Sequence, residues 1–523
     1  MMKQHPRLVL FTALVLGWFL DFLFWRQAPG INFAIYVVLC LAGGFLLLRL
    51  DGKRIAGRAA WLLPLILFFA AVSFLRAEPL TLFLAVVATL LLMAVLALTF
   101  VGGRWLEYSL GDYITGFVRL AGSVIARPFT FQAEAARAAL DRRSASAGIW
   151  PILRGLLIAL PVLLIFGALL ASADLIFNRE LQSLADLLRL QDLPQYIFRL
   201  VYIIVAAYAL TGVFIHAAWH SADERLVGEG RQPFGRFLGF VETSTVLGSV
   251  ILLFAAFVVV QFRYFFGGQA NITVEGFTYA EYARRGFGEL LAVAFFSLLL
   301  ILGLGAVTRR EGRLQQQLFS GMSVLVVVLV GVMLASAYLR VGLYEAAYGF
   351  SRLRTYVHVS LIWLGLLLAA VVLLELAHRE RFFATAALAA AVGFAITLSM
   401  VDVDAFIVRH NLQSQIAHQE LDVQYLASLS TDAVPDLVSA FQDPALAVDR
   451  HEAIGAVLAC RLKLPVGGGP GDWRSFTVTR WRADTALASI RSELQSYKLV
   501  QQDGQSSIVT PGAVSHDCRM FWD

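Results

Sequence analysis

The chain has 523 residues, of which 59% are hydrophobic and only 15% are charged. Soluble globular proteins average about 45–50% apolar and about 25% charged residues, so this composition excludes an ordinary soluble protein and indicates lipid as the solvent for much of the chain. The net charge of +5 is too small and too widely spread for a nucleic-acid-binding surface.

A membrane-spanning helix needs about 20 consecutive, mostly apolar residues. By that rule the sequence predicts eleven spans, at about 7–25, 30–49, 60–76, 79–101, 150–172, 195–218, 241–265, 286–307, 316–340, 355–377 and 382–402. The first span follows Lys3 and Arg7, and no small-residue cleavage site comes after it. We therefore interpret it as an uncleaved span and not as a signal peptide.

Basic residues in the connections predict the orientation, because cytoplasmic loops are enriched in lysine and arginine. Alternate connections, beginning with the N-terminus, carry roughly twice as many of these residues as the connections on the other side. The N-terminus is therefore predicted to be cytoplasmic. Eleven spans then place the C-terminus outside the cytoplasm, although one miscounted span would reverse it. Only four of the 42 basic residues are lysine, a bias typical of bacterial genome composition, so we expect a multi-pass protein of a bacterial plasma membrane.

Two connections contain amphipathic helical patterns. In the cytoplasmic connection, a helix at about 105–145 places Leu110, Ile114, Phe117, Ala121 and Ile125 on one face. It is predicted either to lie on anionic lipid or to pack against the bundle. A second amphipathic helix, at about 173–190, is predicted to lie on the outer surface because it is too short and too charged to span.

From about Ala405 onward the composition is that of a soluble protein. We predict a small helical domain at 405–523, following a transmembrane bundle at 1–404, with helices at about 410–429, after Asp432, at about 445–462 and at 475–499, and a loop at the end. The overall fold class is thus all-α, a polytopic helical bundle with a helical C-terminal domain. Cys460 and Cys518 are predicted to form a disulfide if this tail is exported, and to be free thiols if it is not.

The connection between the ninth and tenth predicted spans is dense in charge. Residues 338–358 lie between two membrane-length segments and contain arginine, glutamate and histidine interspersed with aromatic residues. Gly349 is a natural helix-ending residue and Ser351 a natural helix cap, so we predict a helical hairpin whose first helix projects beyond the bilayer. A neighbouring connection carries Glu281, Arg285 and Glu289 at four-residue spacing, on one predicted helical face.

Unpaired charges are costly near a membrane, so we expect these glutamates and arginines to pair. The set, here named the predicted outer polar cluster, consists of Glu281, Arg284, Arg285, Glu289, Arg340, Tyr344, Glu345, Tyr348, Arg352, Arg354 and His358. One interpretation is a binding site for an anionic or lipid-linked envelope component. The other is a belt of interfacial arginines and aromatic residues that holds the helices at the membrane surface. No catalytic residue, metal site or cofactor is predicted.

Asp21, near the end of the first predicted span, is the other notable acidic group. An ionisable residue within a span is a default functional candidate. It lies close to the outer end of its span, so we expect it to be exposed to water. Asp402 and Asp404 follow the last predicted span, and we interpret both as marking the exit of the chain from the membrane.

Three stretches carry a resemblance to a known family. They are FTYAEYARRGFGELLAVA (277–294), YEAAYGFSRLRTYVHVSLIWLG (344–365), and a third from Val403 to Leu437 that contains VDAFIVRHN and ELDVQYLASLSTDAVPDL. Together they resemble the bacterial integral-membrane proteins of domain-of-unknown-function family 4173, which is related to family 4153. The likeness covers about residues 150–500. It implies a multi-span membrane protein, and it carries no activity, substrate or catalytic residue that can be transferred.

These features favour an envelope sensor or scaffold that contacts membrane lipid and presents its tail to a protein partner. A transporter or channel is an alternative because of the number of spans, but few charges lie within them and the second half shows no clear repeat of the first. A membrane enzyme, or a binder of lipid-linked or anionic envelope components at the predicted outer polar cluster, is a further alternative. That cluster is richer in arginine than in bases, so an enzymatic role is left open.

Overall fold

A computed structural model describes residues 6–140, 166, 170, 172, 174, 192–222, 226, 237–265, 287–377, 379–413, 423–464, 472–502 and 505–518. The apolar part of the chain forms helices throughout the described residues. They are α1 (Pro6–Phe24), α2 (Ile31–Leu50), α3 (Gly57–Ala60), α4 (Leu62–Leu75), α5 (Pro79–Thr99), α6 (Leu110–Leu140), α7 (Leu193–Trp219), α8 (Phe240–Phe265), α9 (Phe287–Val307), α10 (Arg313–Tyr348), α11 (Arg352–Leu376) and α12 (Phe383–Val401).

The predicted membrane bundle is confirmed for the described residues. Nine of their helices are long and apolar enough to cross a membrane, and Leu8–Phe24 is a shorter apolar helix. These helices coincide with ten of the eleven predicted spans. The remaining span, at 150–172, and the amphipathic helix at 173–190 lie outside the described residues, apart from isolated positions.

The chain divides into two compact units, and the first consists of Met1–Arg26, Val38–Ile55 and Val118–Ser221. In this unit α1 packs closely on α7, because Gly17 has no side chain: an added Cβ would lie 2.6 Å from the carbonyl oxygen of Ile203. The expectation that Asp21 is exposed to water was wrong. Asp21 is 2% exposed, and its carboxylate accepts hydrogen bonds from Arg199 at 2.5–3.1 Å, which offset the cost of its burial.

The helix predicted at about 105–145 is present as the long helix α6. It begins at Leu110, after a short 3-10 turn at Trp105–Glu107. Apolar side chains along it are strongly exposed, with Ile114 at 64% and Ile125 at 68%. An exposed apolar face is what contact with lipid requires, while the placement of α6 on a membrane surface stays a prediction.

The second unit consists of Gln27–Val37, Ala56–Phe117 and Ala222–Asp523. Its helices α8 to α11 share a buried apolar core that includes Leu247, Leu298, Val326 and Leu361. The predicted end of α10 is confirmed, since this 36-residue helix stops at Tyr348 and Gly349 follows with φ +73°. Its projection beyond the bilayer stays a prediction. Ser351 occupies the position before α11, but its hydroxyl makes no capping hydrogen bond, so that part of the hairpin prediction was wrong.

The C-terminal tail also belongs to the second unit. It contains α13 (Val403–Gln413), α14 (Val423–Ser428), α15 (Val434–Phe441), α16 (Val448–Lys463), α17 (Val478–Ser489) and strands β1 (Lys498–Gln502), β2 (Gln505–Val509) and β3 (Ser515–Asp517). The strands form an antiparallel sheet in the order β1-β2-β3, with Leu499 opposite Ile508 and Ile508 opposite His516. The helix predicted at 475–499 was therefore wrong beyond Ser489, and the predicted terminal loop contains two strands.

The described residues of the tail share an apolar core that extends to Val359 of α11. Ile407, Leu437, Ile454 and Ile508 are each fully buried in it, and Leu398 of α12 belongs to the same core. The sulfur atoms of Cys460 and Cys518 are bonded; their Cα atoms are 5.7 Å apart, and the residues are separated by 58 in sequence number. The disulfide thus ties the sheet to α16. A domain boundary at residue 404 stays a prediction.

Candidate functional site

The tip of the α10–α11 hairpin contacts the tail through Asn411 of α13. The Asn411 amide accepts a hydrogen bond from the Phe350 N–H at 2.7 Å and donates one to the Phe350 carbonyl at 2.9 Å. A Cβ at Gly349 would lie 2.8 Å from the Asn411 oxygen. Position 349 therefore requires glycine for two reasons: the backbone has a positive φ, and the Asn411 side chain leaves no room for a Cβ.

The structure describes part of the predicted outer polar cluster. Glu281, Arg284 and Arg285 lie outside the described residues, and Glu289 is exposed at the start of α9. The other members are on α10 and α11: Arg340, Tyr344, Glu345, Tyr348, Arg352, Arg354 and His358. They do not form one continuous group of ion pairs, and three separate sets of contacts account for them.

In the first set, Glu345 pairs with His358 and not with an arginine. The carboxylate lies 2.9 Å from the His358 Nδ1 atom and is 5% exposed. The ring of Tyr338 packs edge-on against the imidazole, with 4.2 Å between centroids. Glu345 and His358 are 13 positions apart, on opposite sides of the hairpin, so the pair links α10 to α11.

In the second set, Arg354 is held at the hairpin tip by aromatic and backbone contacts. Its guanidinium lies over the Tyr344 ring, 4.0 Å from the centroid, and donates to the Tyr348 carbonyl at 3.1 Å. The ring centroids of Tyr344 and Tyr348 are 5.1 Å apart. On the same helix, Arg340 is 7% exposed and donates to the side chain of Gln261 in α8.

The third set connects the spans to the tail, and we name it the tail junction: Arg76, Glu78, Arg352, Tyr356, Asp402, Asp404, Ser430, Asp432 and Arg461. At its centre, Arg352 donates two parallel hydrogen bonds to Asp404, at 2.7 and 2.6 Å. Asp404 is fully buried and also accepts from the Ser430 N–H at 2.6 Å. A bidentate pair of this kind fixes both position and orientation.

A second carboxylate of the tail junction reaches in the opposite direction, from the tail to the α4–α5 connection. Asp432 accepts hydrogen bonds from the backbone N–H groups of Ala77 at 2.8 Å and of Glu78 at 3.1 Å. It is 6% exposed, and its other oxygen has no hydrogen-bond partner among the described residues. The tail therefore supplies acceptors to backbone donors that precede α5.

Glu78 and Arg76 complete the connection to the spans. Glu78 caps α5, accepting from the N–H groups of Leu80 at 2.9 Å and Thr81 at 2.7 Å, and it also accepts a hydrogen bond from the Tyr356 hydroxyl. Arg76 forms an ion pair with Asp402 just beyond α12. The tail junction thus joins the ends of α4 and α12 to the starts of α5 and α11.

Burial perturbs the titration of several groups in the tail junction. Burial, reinforced by the charge of Asp402, raises the pKa of Asp432 to about 7. The pKa of Asp402 is also raised by burial, against the opposing effect of Arg76. Burial lowers the pKa of Arg461 to about 10. At neutral pH its guanidinium is therefore still a cation, and it donates to the carbonyls of Ala427 and Ser430. With a pKa of about 7, Asp432 titrates near neutral pH.

The chemistry of the tail junction is that of a structural connection. Its carboxylates and guanidinium groups are paired with each other or with backbone, and the described residues contain no cluster of three or more His, Cys, Asp or Glu that could hold a metal ion. From the sequence, Asp404 is expected only to mark the membrane exit and Asp432 only to precede a helix, and neither expectation includes the contacts found here. In the sequence, each of these aspartates is only an acidic residue next to the end of a helix. That position does not identify a partner that lies 52 or 355 positions away.

One family model matches the part of the chain that contains most of these contacts. Searches of curated proteins and of solved structures gave no match. A family model described as "Domain of unknown function (DUF4153)" matches residues 62–440, a range that runs from the start of α4 to the end of α15 and contains every tail-junction residue except Arg461. Because this range covers more than half of the chain, the protein belongs to the DUF4153 family.

Proposed function

We propose that this multi-pass membrane protein is a scaffold that holds its disulfide-bonded C-terminal tail at a fixed position on the outer face of the membrane, where the tail contacts a protein partner. The observation that carries the proposal is the tail junction. A flexibly tethered domain needs only a linker, whereas this tail is joined to the ends of several spans by buried charge pairs. A sensor that passes a signal from the tail to the spans needs the same connection.

Buried charges make this connection specific. Asp404 is fully buried, so any displacement of α13 away from α11 leaves charges without their partners. Breaking a buried pair costs about 3–5 kcal/mol, which strongly disfavours detached arrangements of the tail. The apolar contact of Leu398 with the tail core acts in the same direction.

Two observations support an extracytoplasmic tail. Disulfides persist in oxidising compartments and are rare in the cytoplasm, and Cys460 is bonded to Cys518. The distribution of lysine and arginine independently favours a cytoplasmic N-terminus with the tail on the opposite side. A bacterial plasma membrane, and membership of the related family 4173, belong to the same proposal.

Sidedness is tested by cysteine labelling in intact bacterial cells that express the full chain. Val448→Cys introduces a thiol at a tail position that is 76% exposed. Glu311→Cys is the matched control, because residue 311 is exposed between α9 and α10 at the opposite end of the spans. A membrane-impermeant maleimide is expected to label position 448 and not position 311. Labelling of position 311 alone would overturn the extracytoplasmic placement.

Binding of an envelope component at the predicted outer polar cluster stays a prediction. Glu289 is exposed, and the described members on α10 and α11 contact one another, neighbouring side chains of α8 and α10, the backbone or the tail. The transporter and enzyme alternatives likewise stay predictions.

A further inference from the structure

A cavity of about 590 Å³ lies at the end of the spans opposite the tail junction. It is formed where α9 ends, α10 begins, α11 ends and α12 begins. Its volume is in the range typical of small-molecule sites, roughly 300–1,000 Å³. The cavity lies within the second unit, and neither the tail nor the predicted outer polar cluster contributes to it.

The cavity wall has two chemically different parts. Toward the middle of the spans it is apolar, with Ile301, Leu302, Val371 and Leu374 among its residues. At the ends of the helices it is polar and carries Arg310, Gln316, Ser320, Glu375 and Arg381. This arrangement matches an amphiphile whose chain lies among the spans and whose polar group lies at the membrane boundary.

The position of Arg310 is fixed by packing. Its guanidinium lies over the Phe319 ring at 3.7 Å from the centroid and donates to the Gly305 carbonyl at 3.2 Å. Phe319 is 2% exposed and belongs to the apolar core of the unit. A guanidinium held in this way loses little conformational freedom when it binds a ligand.

The charged groups of the cavity favour an anion. Two arginines face a single carboxylate, and that carboxylate, Glu375, is 8% exposed and accepts a hydrogen bond from the Ser320 hydroxyl at 2.5 Å. The described residues that line the cavity therefore carry a net positive charge. Arginine donates paired hydrogen bonds to phosphate, and basic pockets between spans bind the headgroups of anionic lipids.

We propose that this cavity binds the phosphate group of an anionic ligand, with Arg310 and Arg381 donating to the phosphate oxygens. The apolar wall favours a phospholipid headgroup as the source of the phosphate, with the start of an acyl chain against α9 and α11. A free phosphate ion offers the same oxygens but leaves the apolar wall uncovered. The proposal is independent of the scaffold function.

Native mass spectrometry of the full chain, purified and delipidated in detergent, tests the site. The probes are phosphatidylglycerol, zwitterionic phosphatidylcholine and inorganic phosphate. Phosphatidylglycerol is expected to bind about tenfold more tightly than phosphatidylcholine. Arg381→Gln is expected to weaken the binding of phosphatidylglycerol about tenfold, which is the effect of losing one charge-assisted hydrogen bond. Arg310→Lys, which keeps the charge and loses the paired geometry, is expected to weaken binding less than Arg310→Gln.

Arg313→Gln is the matched control, because Arg313 is an exposed arginine at the same end of the spans and does not line the cavity. It is expected to leave the affinity for phosphatidylglycerol within about twofold. If inorganic phosphate alone binds, with the same dependence on Arg310 and Arg381, the site stands and its ligand is the free ion. Equal binding of the two lipids, or an equal loss in Arg313→Gln and Arg381→Gln, would overturn the proposal.

Discussion

Replacing the carboxylate at the centre of the tail junction should loosen the tail selectively. In Asp404→Asn, Arg352 loses the charge that accepts both of its hydrogen bonds, while an acceptor for the Ser430 N–H remains. Asp404 is fully buried, and the Arg352 side chain is 20% exposed, so we take the lower end of the cost of breaking a buried pair, about 3 kcal/mol. At about 1.36 kcal/mol per factor of ten, this predicts a roughly 150-fold increase in the opening equilibrium of the tail.

Hydrogen exchange of the full chain in lipid nanodiscs measures this opening at the amides of α15 and α16. The matched control is Asp436→Asn, which removes a carboxylate of the same segment. Asp436 lies 3.3 Å from Arg409, and the side chains of Arg409 and Asp436 are 52% and 29% exposed, so the expected loss is below about 1 kcal/mol. A double variant with Arg352→Gln should recover part of the loss, because no buried charge is then left alone. If Asp404→Asn accelerates exchange no more than Asp436→Asn, the structural role of the tail junction is refuted.

Three further outcomes are expected. The pKa of Asp432 is raised to about 7 from 3.8, so the folded tail binds this proton more tightly than the unfolded chain does. The resulting contribution to the free energy of unfolding is complete below about pH 4 and is lost as the pH rises through 7. It amounts to at most about 4 kcal/mol. Asp432→Asn should therefore flatten the pH dependence of thermal unfolding between about pH 4 and 8, and an unchanged profile would contradict the assignment. Reducing the bond between Cys460 and Cys518 should destabilise the tail by about 4 kcal/mol on the chain-entropy model, seen as a lower Tm in reductant; two free thiols in the untreated protein, found by mass spectrometry, would count against the bond. Gly393→Ala should cost about 1–3 kcal/mol by overpacking, because its Cβ would lie 2.1 Å from the Trp363 ring, whereas Gly365→Ala, with nothing within 4 Å, should be nearly neutral in the same denaturation assay.

The membrane-spanning part of the fold could be predicted because its signal is local. A run of about 20 apolar residues is sufficient to place a span, and a glycine favours a helix end because it readily adopts the positive φ found at Gly349. The strands of the tail were missed because they are short, and strand β3 has only three residues. Their pairing depends on contacts between strands and on the core residue Ile508, which are tertiary features that local periodicity does not reveal.

The site was less predictable than the fold for a physical reason. Charge density at 338–358 identifies where charged side chains are concentrated, but charge alone does not determine their partners. Arg352 pairs with Asp404, a residue interpreted from sequence only as a marker of the membrane exit, and Glu345 pairs with His358 in place of an arginine. These choices depend on how α11, α12 and α13 converge, and that convergence is not encoded in the spacing along any one helix.

The central claim, a tail held rigidly on the ends of the spans, is tested most directly by a distance distribution between spin labels. Leu353→Cys at the start of α11 and Val448→Cys in the tail are both strongly exposed, at 63% and 76%, and Cys40→Ala removes the remaining free thiol. Pulsed dipolar spectroscopy in nanodiscs should give one narrow distance for this protein and a broadened distribution after Asp404→Asn. A broad distribution in the protein without the Asp404 substitution would contradict the claim.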